Sequence, residues 1–251
     1  MKRLSFIPLI LLAATAHAFD LGGLKEQLGK AAQSPSQTSQ TANSAGLSGI
    51  SNADQVGSLK QALTQGAETA VAGLAKENGF LGNDKVRIPL PDSLQKAGKL
   101  MHSLGMGKYA DDLTSSMNRA AEAAVPEAKS LLVAAVKSMS VTDAKNILLG
   151  GDDAATQYFR KKTEVQLTEK FKPVVDHSIQ KVKLAEKYDQ FAGKGVQFGV
   201  VDQKDAHLDD YITRKALDGL FLMMAEQERA IRANPLQAAG SLAQKVFAAI
   251  K

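Results

Sequence analysis

The stretch SNADQVGSLKQALTQGAETAVAGLAKENG, residues 51–79, decides the fold. Val56, Leu59, Leu63, Ala67, Ala70 and Leu74 recur at helical spacing, which gathers apolar side chains on one face. Ser51 or Asn52 supplies a cap in front, and Asn78-Gly79 a stop behind. A helix that buries one stripe needs neighbours, and the chain downstream provides them.

The segment KVRIPLP, residues 85–91, is expected to be extended, because Pro89 and Pro91 bias Ile88 and Leu90 out of helical space. Asp92 or Ser93 then caps a helix through Leu94, Leu100, Met101 and Leu104, ended by Gly105 and Gly107. A long helical pattern over residues 108–139 contains Pro126. Proline in a helix interior costs about 3 kcal/mol, so this pattern predicts two helices or one kinked rod. Ser140 and Thr142 restart a short helix through Ile147 to Leu149, stopped by Gly150-Gly151. Asp152 is expected to cap the next helix, which carries Ala155, Tyr158 and Phe159 on one face and is interrupted at Pro173.

Residues 193–201 resemble a strand and could form at most a hairpin. The last long helix is expected to start after Asp209-Asp210 and to run through Ile212, Leu217, Leu220, Phe221 and Met224 to Ile231. Asn234-Pro235 breaks it before a terminal helix with Leu242, Val246, Phe247 and Ile250. The expected fold is all-α, a single domain of roughly eight helices over residues 51–251. No alternation of strands and helices supports a parallel sheet.

Upstream the composition changes abruptly. Residues 30–51 are rich in Ser, Gln, Thr, Ala, Asn and Gly, with Pro35 inside. Such a segment buries too little apolar surface to offset its ordering entropy, so residues 19–50 are read as a flexible linker. Phe19 and the residues after it add one short amphipathic turn through Leu21, Leu24 and Leu28. Residues 1–18 read as a secretory signal peptide: Lys2 and Arg3, an apolar run, then Ala16-His17-Ala18 as a small-x-small cleavage site. The apolar run is shorter than the ~20 residues that span a bilayer. The expected product is a periplasmic protein cleaved after Ala18, with no transmembrane segment in the mature chain.

The 251 residues are 44% hydrophobic but only 5% aromatic, without tryptophan, so the core is expected to be aliphatic and closely packed. Cysteine is absent, which removes disulfides, thiolate metal sites and thiol nucleophiles together. Net charge falls from +5 to +3 once Lys2 and Arg3 are gone. Nine Lys/Arg against five Asp/Glu over residues 158–195 read as a solvated helix face, and no nucleic-acid partner is expected.

No G-x-S-x-G, H-E-x-x-H, P-loop or G-x-G-x-x-G motif occurs, and no catalytic residue, metal or cofactor is assigned. His102, His177 and His207 are far apart in sequence. Asp202, Asp205, His207, Asp209 and Asp210 form the densest ligand-type cluster, but the spacing is not that of an EF-hand, and acids suit a helix N-terminus. The candidate ligand-binding residues are Asn118, Arg119, Glu122, Asp218 and Glu226. Asp218 lies within the apolar run ALDGLF, where a carboxylate is either buried with a partner or at a cleft edge. Arg214, four residues earlier, could pair with it. Asn118, Arg119 and Glu122 interrupt an Ala-rich helix in the same way, and a network joining them to Asp218 is one expectation. Glu226, Glu228, Arg229 and Arg232 read as a solvated face of alternating charge.

The same residues carry a resemblance. Ile88-Pro89-Leu90-Pro91, residues 116–122 (SMNRAAE), Gly150-Gly151-Asp152, Tyr158-Phe159-Arg160, and residues 216–221 with Ala225-Glu226 and Ile231-Arg232 resemble the bacterial domain-of-unknown-function family 4197. The likeness covers Leu47 to the C-terminus. It implies an envelope protein of Gram-negative-type bacteria, usually with a signal, and it transfers no activity, ligand or catalytic residue.

Functionally, the leading expectation is a non-enzymatic, envelope-associated binding protein whose partner is an envelope protein, a lipid or a small molecule. One alternative is a hydrolase or lyase using Asp218 or Glu226 with Arg119 orienting an anion. The other is an apolar-ligand carrier with Met101, Met106, Phe221, Met223 and Met224 around a cavity.

Overall fold

A computed structural model describes residues 49–105, 107–180, 207–238 and 240–249, and every described element is helical. The strand-like residues 193–201, Asp202, Asp205, Met106 and residues 1–48 lie outside the described residues. In chain order the helices are α1 (Asn52–Ala75), α2 (Asp92–Ser103), α3 (Lys108–Ala124), α4 (Ala128–Ser138), α5 (Val141–Leu148), α6 (Ala154–Ile179), α7 (Leu208–Ala233) and α8 (Ser241–Ala249). None of them is long and apolar enough to cross a membrane.

Ser51 caps α1, its hydroxyl accepting the Asp54 N–H at 3.1 Å. Ser140 caps α5 within a reciprocal box: its hydroxyl accepts the Asp143 N–H at 3.0 Å, and Asp143 accepts the Ser140 N–H at 3.0 Å. Pro126 falls in a 3-10 turn, Val125–Glu127, between α3 and α4, where its missing N–H costs no α-helical bond.

The structure corrects four local expectations. Helix α6 continues through Pro173 rather than breaking there. Pro173 and Glu169 are both exposed, so the carbonyl that loses its donor faces water while Phe171 and Val175 stay buried. Lys85 and Val86 sit in a turn closed by the Asn83 carbonyl, and only Arg87 to Pro91 run without regular structure. Helix α7 begins at Leu208, so Asp209 and Asp210 lie in its first turn. Asp153, not Asp152, stands at the N-cap of α6, and its side chain makes no capping bond.

Helices α6 and α7 pack against each other along their lengths, α3 lies against both, and α1 contacts α4, α7 and α8. The α3–α4 region meets its neighbours through Ala120, Ala121, Ala124 and Ala128, all 0% exposed. Small side chains there allow close helix approach, which suits a chain poor in aromatics. Phe80, Phe159, Phe171 and Phe221 are fully buried, each worth about 1.5–3 kcal/mol of transfer free energy.

Candidate functional site

Helix α3 presents Asn118, Arg119 and Glu122 to the non-helical chain between α1 and α2. Asn118 is 0% exposed, and its amide pairs with the backbone of one residue. Oδ1 accepts the Ile88 N–H at 2.8 Å, while Nδ2 donates to the Ile88 carbonyl at 2.9 Å and to the Thr114 carbonyl at 2.8 Å. Pro89 and Pro91 have no N–H, so this segment cannot join a ladder, and a side chain must satisfy Ile88 instead. The neighbouring Pro89 carbonyl accepts from the Tyr211 hydroxyl of α7 at 3.0 Å.

Glu122 does for the preceding turn what Asn118 does for Ile88. Its Oε1 accepts the N–H groups of Phe80 and Leu81 at 3.1 and 3.2 Å. Its Oε2 meets Arg119 Nη1 at 2.6 Å. Arg119 then reaches Glu77 at 3.2 Å and the Asn78 side-chain oxygen at 3.0 Å. Asn78 adopts a left-handed φ of 64°, a conformation Asn tolerates better than most residues. The turn so held drives the Phe80 ring onto Gly219 of α7.

Asp218 stands apart from this network. Its side chain is 49% exposed and pairs with Arg160 of α6 at 3.2 Å; Arg160 also meets Glu164 and lies 4.6 Å over the Phe221 ring. Glu226, 27% exposed, pairs with Lys85 at 2.8 Å. Asn118, Arg119 and Glu122 therefore act together, whereas Asp218 and Glu226 each belong to a separate surface pair.

Glu228 and Arg232 are the residues that sequence reasoning misassigned. Glu228 is buried and Arg232 largely so, neither on a solvated face: their side chains are 6% and 10% exposed. Glu228 Oε1 accepts the Ala155 N–H and Oε2 the Thr156 N–H, both at 2.9 Å, with the Thr156 hydroxyl at 3.0 Å. A carboxylate from α7 thus caps the N-terminus of α6, where the first N–H groups lack intrahelical acceptors. Arg232 neutralises it at 3.0 Å and donates to the Ile147 carbonyl at 2.7 Å. A signal was available, because position 228 continues the stripe of Leu217, Phe221 and Met224.

Asp209 and Asp210 both reach Lys172, at 3.4 and 2.6 Å. The hydrogen bond to Asp210 is the main cause that raises the Lys172 pKa above its ordinary value. His102 is 54% exposed and lies 3.3 Å from Asp111. Among the described residues no three His, Asp or Glu side chains converge as a metal site.

Clefts of differing size lie among the described residues. A cleft of about 340 Å³ is bounded by Asp84, Arg87, Pro89, Leu90, Lys99 and His102, with Ala110 and Asp111 from α3. A groove of about 400 Å³ lies between Lys60, Gln61, Thr64, Glu68 and Lys137. A small, partly open apolar crevice of about 30 Å³ lies beside Met224, Phe159 and Phe247.

The model of a family described as "Protein of unknown function (DUF4197)" matches residues 49–248. No curated protein and no solved structure matches the chain. The matched span includes the Ile88 pin, the Glu122 turn and the Glu228 cap, and the chain belongs to the DUF4197 family.

Proposed function

We propose that this is an exported periplasmic protein, cleaved after Ala18, that works by binding an envelope protein, a lipid or a small molecule and not by catalysis. The observation supporting the non-catalytic reading is the engagement of Asn118, Glu122 and Glu228, the buried groups whose chemistry would suit an acid, a base or a ligand contact. Every side-chain oxygen of Asn118, Glu122 and Glu228 accepts a hydrogen bond, from backbone N–H groups and, for the two carboxylates, from Arg119 and Arg232 as well, so these groups are held in place. An acid or base must instead reach a substrate from an open site. Arg119 is taken by Glu122, Glu77 and Asn78, which leaves it poorly placed to orient an anion beside Asp218. Export rests on the leader-like residues 1–18.

Two measurements test the reading. Intact mass of the protein recovered from the envelope fraction is expected to begin at Phe19; a chain beginning at Met1 in the cytosol would refute export. The immobilised mature chain is expected to retain a saturable partner from envelope extracts. Recovery of none, with turnover of a substrate that Asp218→Asn abolishes, would reverse the non-catalytic assignment.

A further inference from the structure

The cleft beside α2 holds charged groups that the packing network leaves unused. Arg87, Lys99 and Asp84 line it, all three are exposed, and none of their charged ends meets a partner among the described residues. Asp111 faces the same space and shares it with His102. The backbone adds a donor. The carbonyls of Ile88, Pro89, Leu90 and Pro91 are all occupied, by Asn118, Tyr211, Gln95 and the first turn of α2. The Leu90 N–H has no acceptor among the described residues, and Leu90 is part of the cleft wall. Because Asn118 and Tyr211 fix this segment, the wall is preformed and not assembled on binding.

We propose that this cleft binds a small zwitterion of dipeptide to tripeptide size. Its carboxylate meets Arg87, Lys99 and the Leu90 N–H; its ammonium meets Asp84 and Asp111. Among the described lining residues two cations, Arg87 and Lys99, stand against two carboxylates, Asp84 and Asp111. A pure anion is repelled by Asp84 and Asp111, and a pure cation by Arg87 and Lys99, so separated charges of both signs are the matching pattern. Arginine suits a carboxylate because its planar fork accepts two oxygens at once. Pro89, Leu90 and Ala110 offer apolar surface to short side chains. The volume of about 340 Å³ falls at the small end of ligand sites, which run from roughly 300 to 1,000 Å³.

This inference rests on the binding reading above but not on export. The test is calorimetric titration of the mature chain with trialanine, N-acetyl-trialanine, trialanine amide and inorganic phosphate. Trialanine is expected to bind saturably, and each blocked form to bind about five-fold more weakly or worse. Arg87→Gln is expected to erase the preference for trialanine over its amide, and Asp84→Asn the preference over the acetylated form. Both positions are exposed and without side-chain partners among the described residues, so folding is unaffected. No saturable binding of trialanine, equal binding of all probes, or tighter binding of phosphate would overturn the assignment. If the titration fails while the immobilised chain still captures a saturable envelope partner, this site falls and the binding reading stands.

Discussion

Asn118 and Ile88 are paired edge to edge, the side-chain amide of one matching both backbone groups of the other at 2.8 and 2.9 Å. Ile88 is 1% exposed and Asn118 0%, so water cannot replace either bond. Asn118→Leu keeps the volume and orphans the Ile88 N–H and carbonyl together. The expected loss is about 2–5 kcal/mol, seen as a lower urea midpoint. Asn118→Asp preserves the acceptor for Ile88 N–H but sets a carboxylate against the Ile88 and Thr114 carbonyls, so it is destabilised as well. A cost below about 1 kcal/mol for the leucine variant would mean that the pin carries little of the fold.

Glu228 caps a helix that is not its own. Glu228→Ala exposes the Ala155 and Thr156 N–H groups to an apolar surround and leaves Arg232 without its counter-charge. Removing one partner of such a buried pair costs about 3–5 kcal/mol. Glu228→Gln keeps one acceptor oxygen and is expected to lose less. Hydrogen exchange distinguishes this from general loosening: the amides of Ala155 and Thr156 should gain exchange before those in the middle of α6. Uniform acceleration along α6 would argue against a local cap.

Two contacts of charged side chains act on opposite limbs of the pH–stability curve. The Ser140 backbone N–H, then its hydroxyl, hold the Asp143 carboxyl below its ordinary value of 3.8. That contribution is complete above pH 3.8 and is lost as pH falls through the lower folded-state value. Lys172 is raised above 10.5, first by its hydrogen bond to Asp210, so its contribution is complete below pH 10.5 and is lost as pH climbs past the raised value. Asp143→Asn is expected to flatten the acid limb of the melting temperature and leave the alkaline limb unchanged, and Lys172→Met to flatten the alkaline limb. The Lys172 pair is open to solvent, so molar salt should shrink its effect, whereas the Asp143 hydrogen bonds come from neutral donors and should change less. An alkaline limb unchanged by Lys172→Met, or an acid limb unchanged by Asp143→Asn, would contradict these contacts.

Periodicity exposed the helices because α1 and α7 each bury a stripe, and glycine and proline exposed most of the boundaries. The failures share a cause. Pro173 reads as an interruption because sequence does not say that its side of α6 faces water, where a missing donor costs least. Glu228 and Arg232 were assigned to a wet face because charge outweighed their register beside Met224, and the orphan N–H groups that draw them inward belong to a helix more than seventy residues away. Asn118, Arg119 and Glu122 were legible as unusual, but Ile88 and Phe80 as their partners were not. Asp218 also drew attention for its apolar neighbours, yet its own position on α7 points outward to Arg160. The cleft beside α2 left no mark in sequence, since Arg87 and Lys99 look like ordinary surface charges until the turn at Asn83 sets the one, and α2 the other, beside the same cleft.

Gly219 and Gly57 provide a paired test of the packing. On propensity alone, either glycine replaced by alanine gains roughly 1 kcal/mol in a helix interior. Gly57 lies on α1 with nothing within 4 Å of the added methyl, so Gly57→Ala is expected to raise stability by about 0.5–1 kcal/mol. At Gly219 the same methyl would stand 2.8 Å from the Phe80 ring and 3.3 Å from the Val86 Cβ. Phe80 is fully buried and its backbone is tied to Glu122, so the ring has no direction in which to yield. Overpacking of this kind costs about 1–3 kcal/mol, enough to cancel the propensity gain and reverse it. Thermal melts of the two variants should therefore move in opposite directions, and Phe80→Leu should be less harmful when combined with Gly219→Ala than alone. If Gly219→Ala stabilised the protein as Gly57→Ala does, the Phe80 ring could not lie against α7 as found, and the turn that Glu122 holds would be placed wrongly.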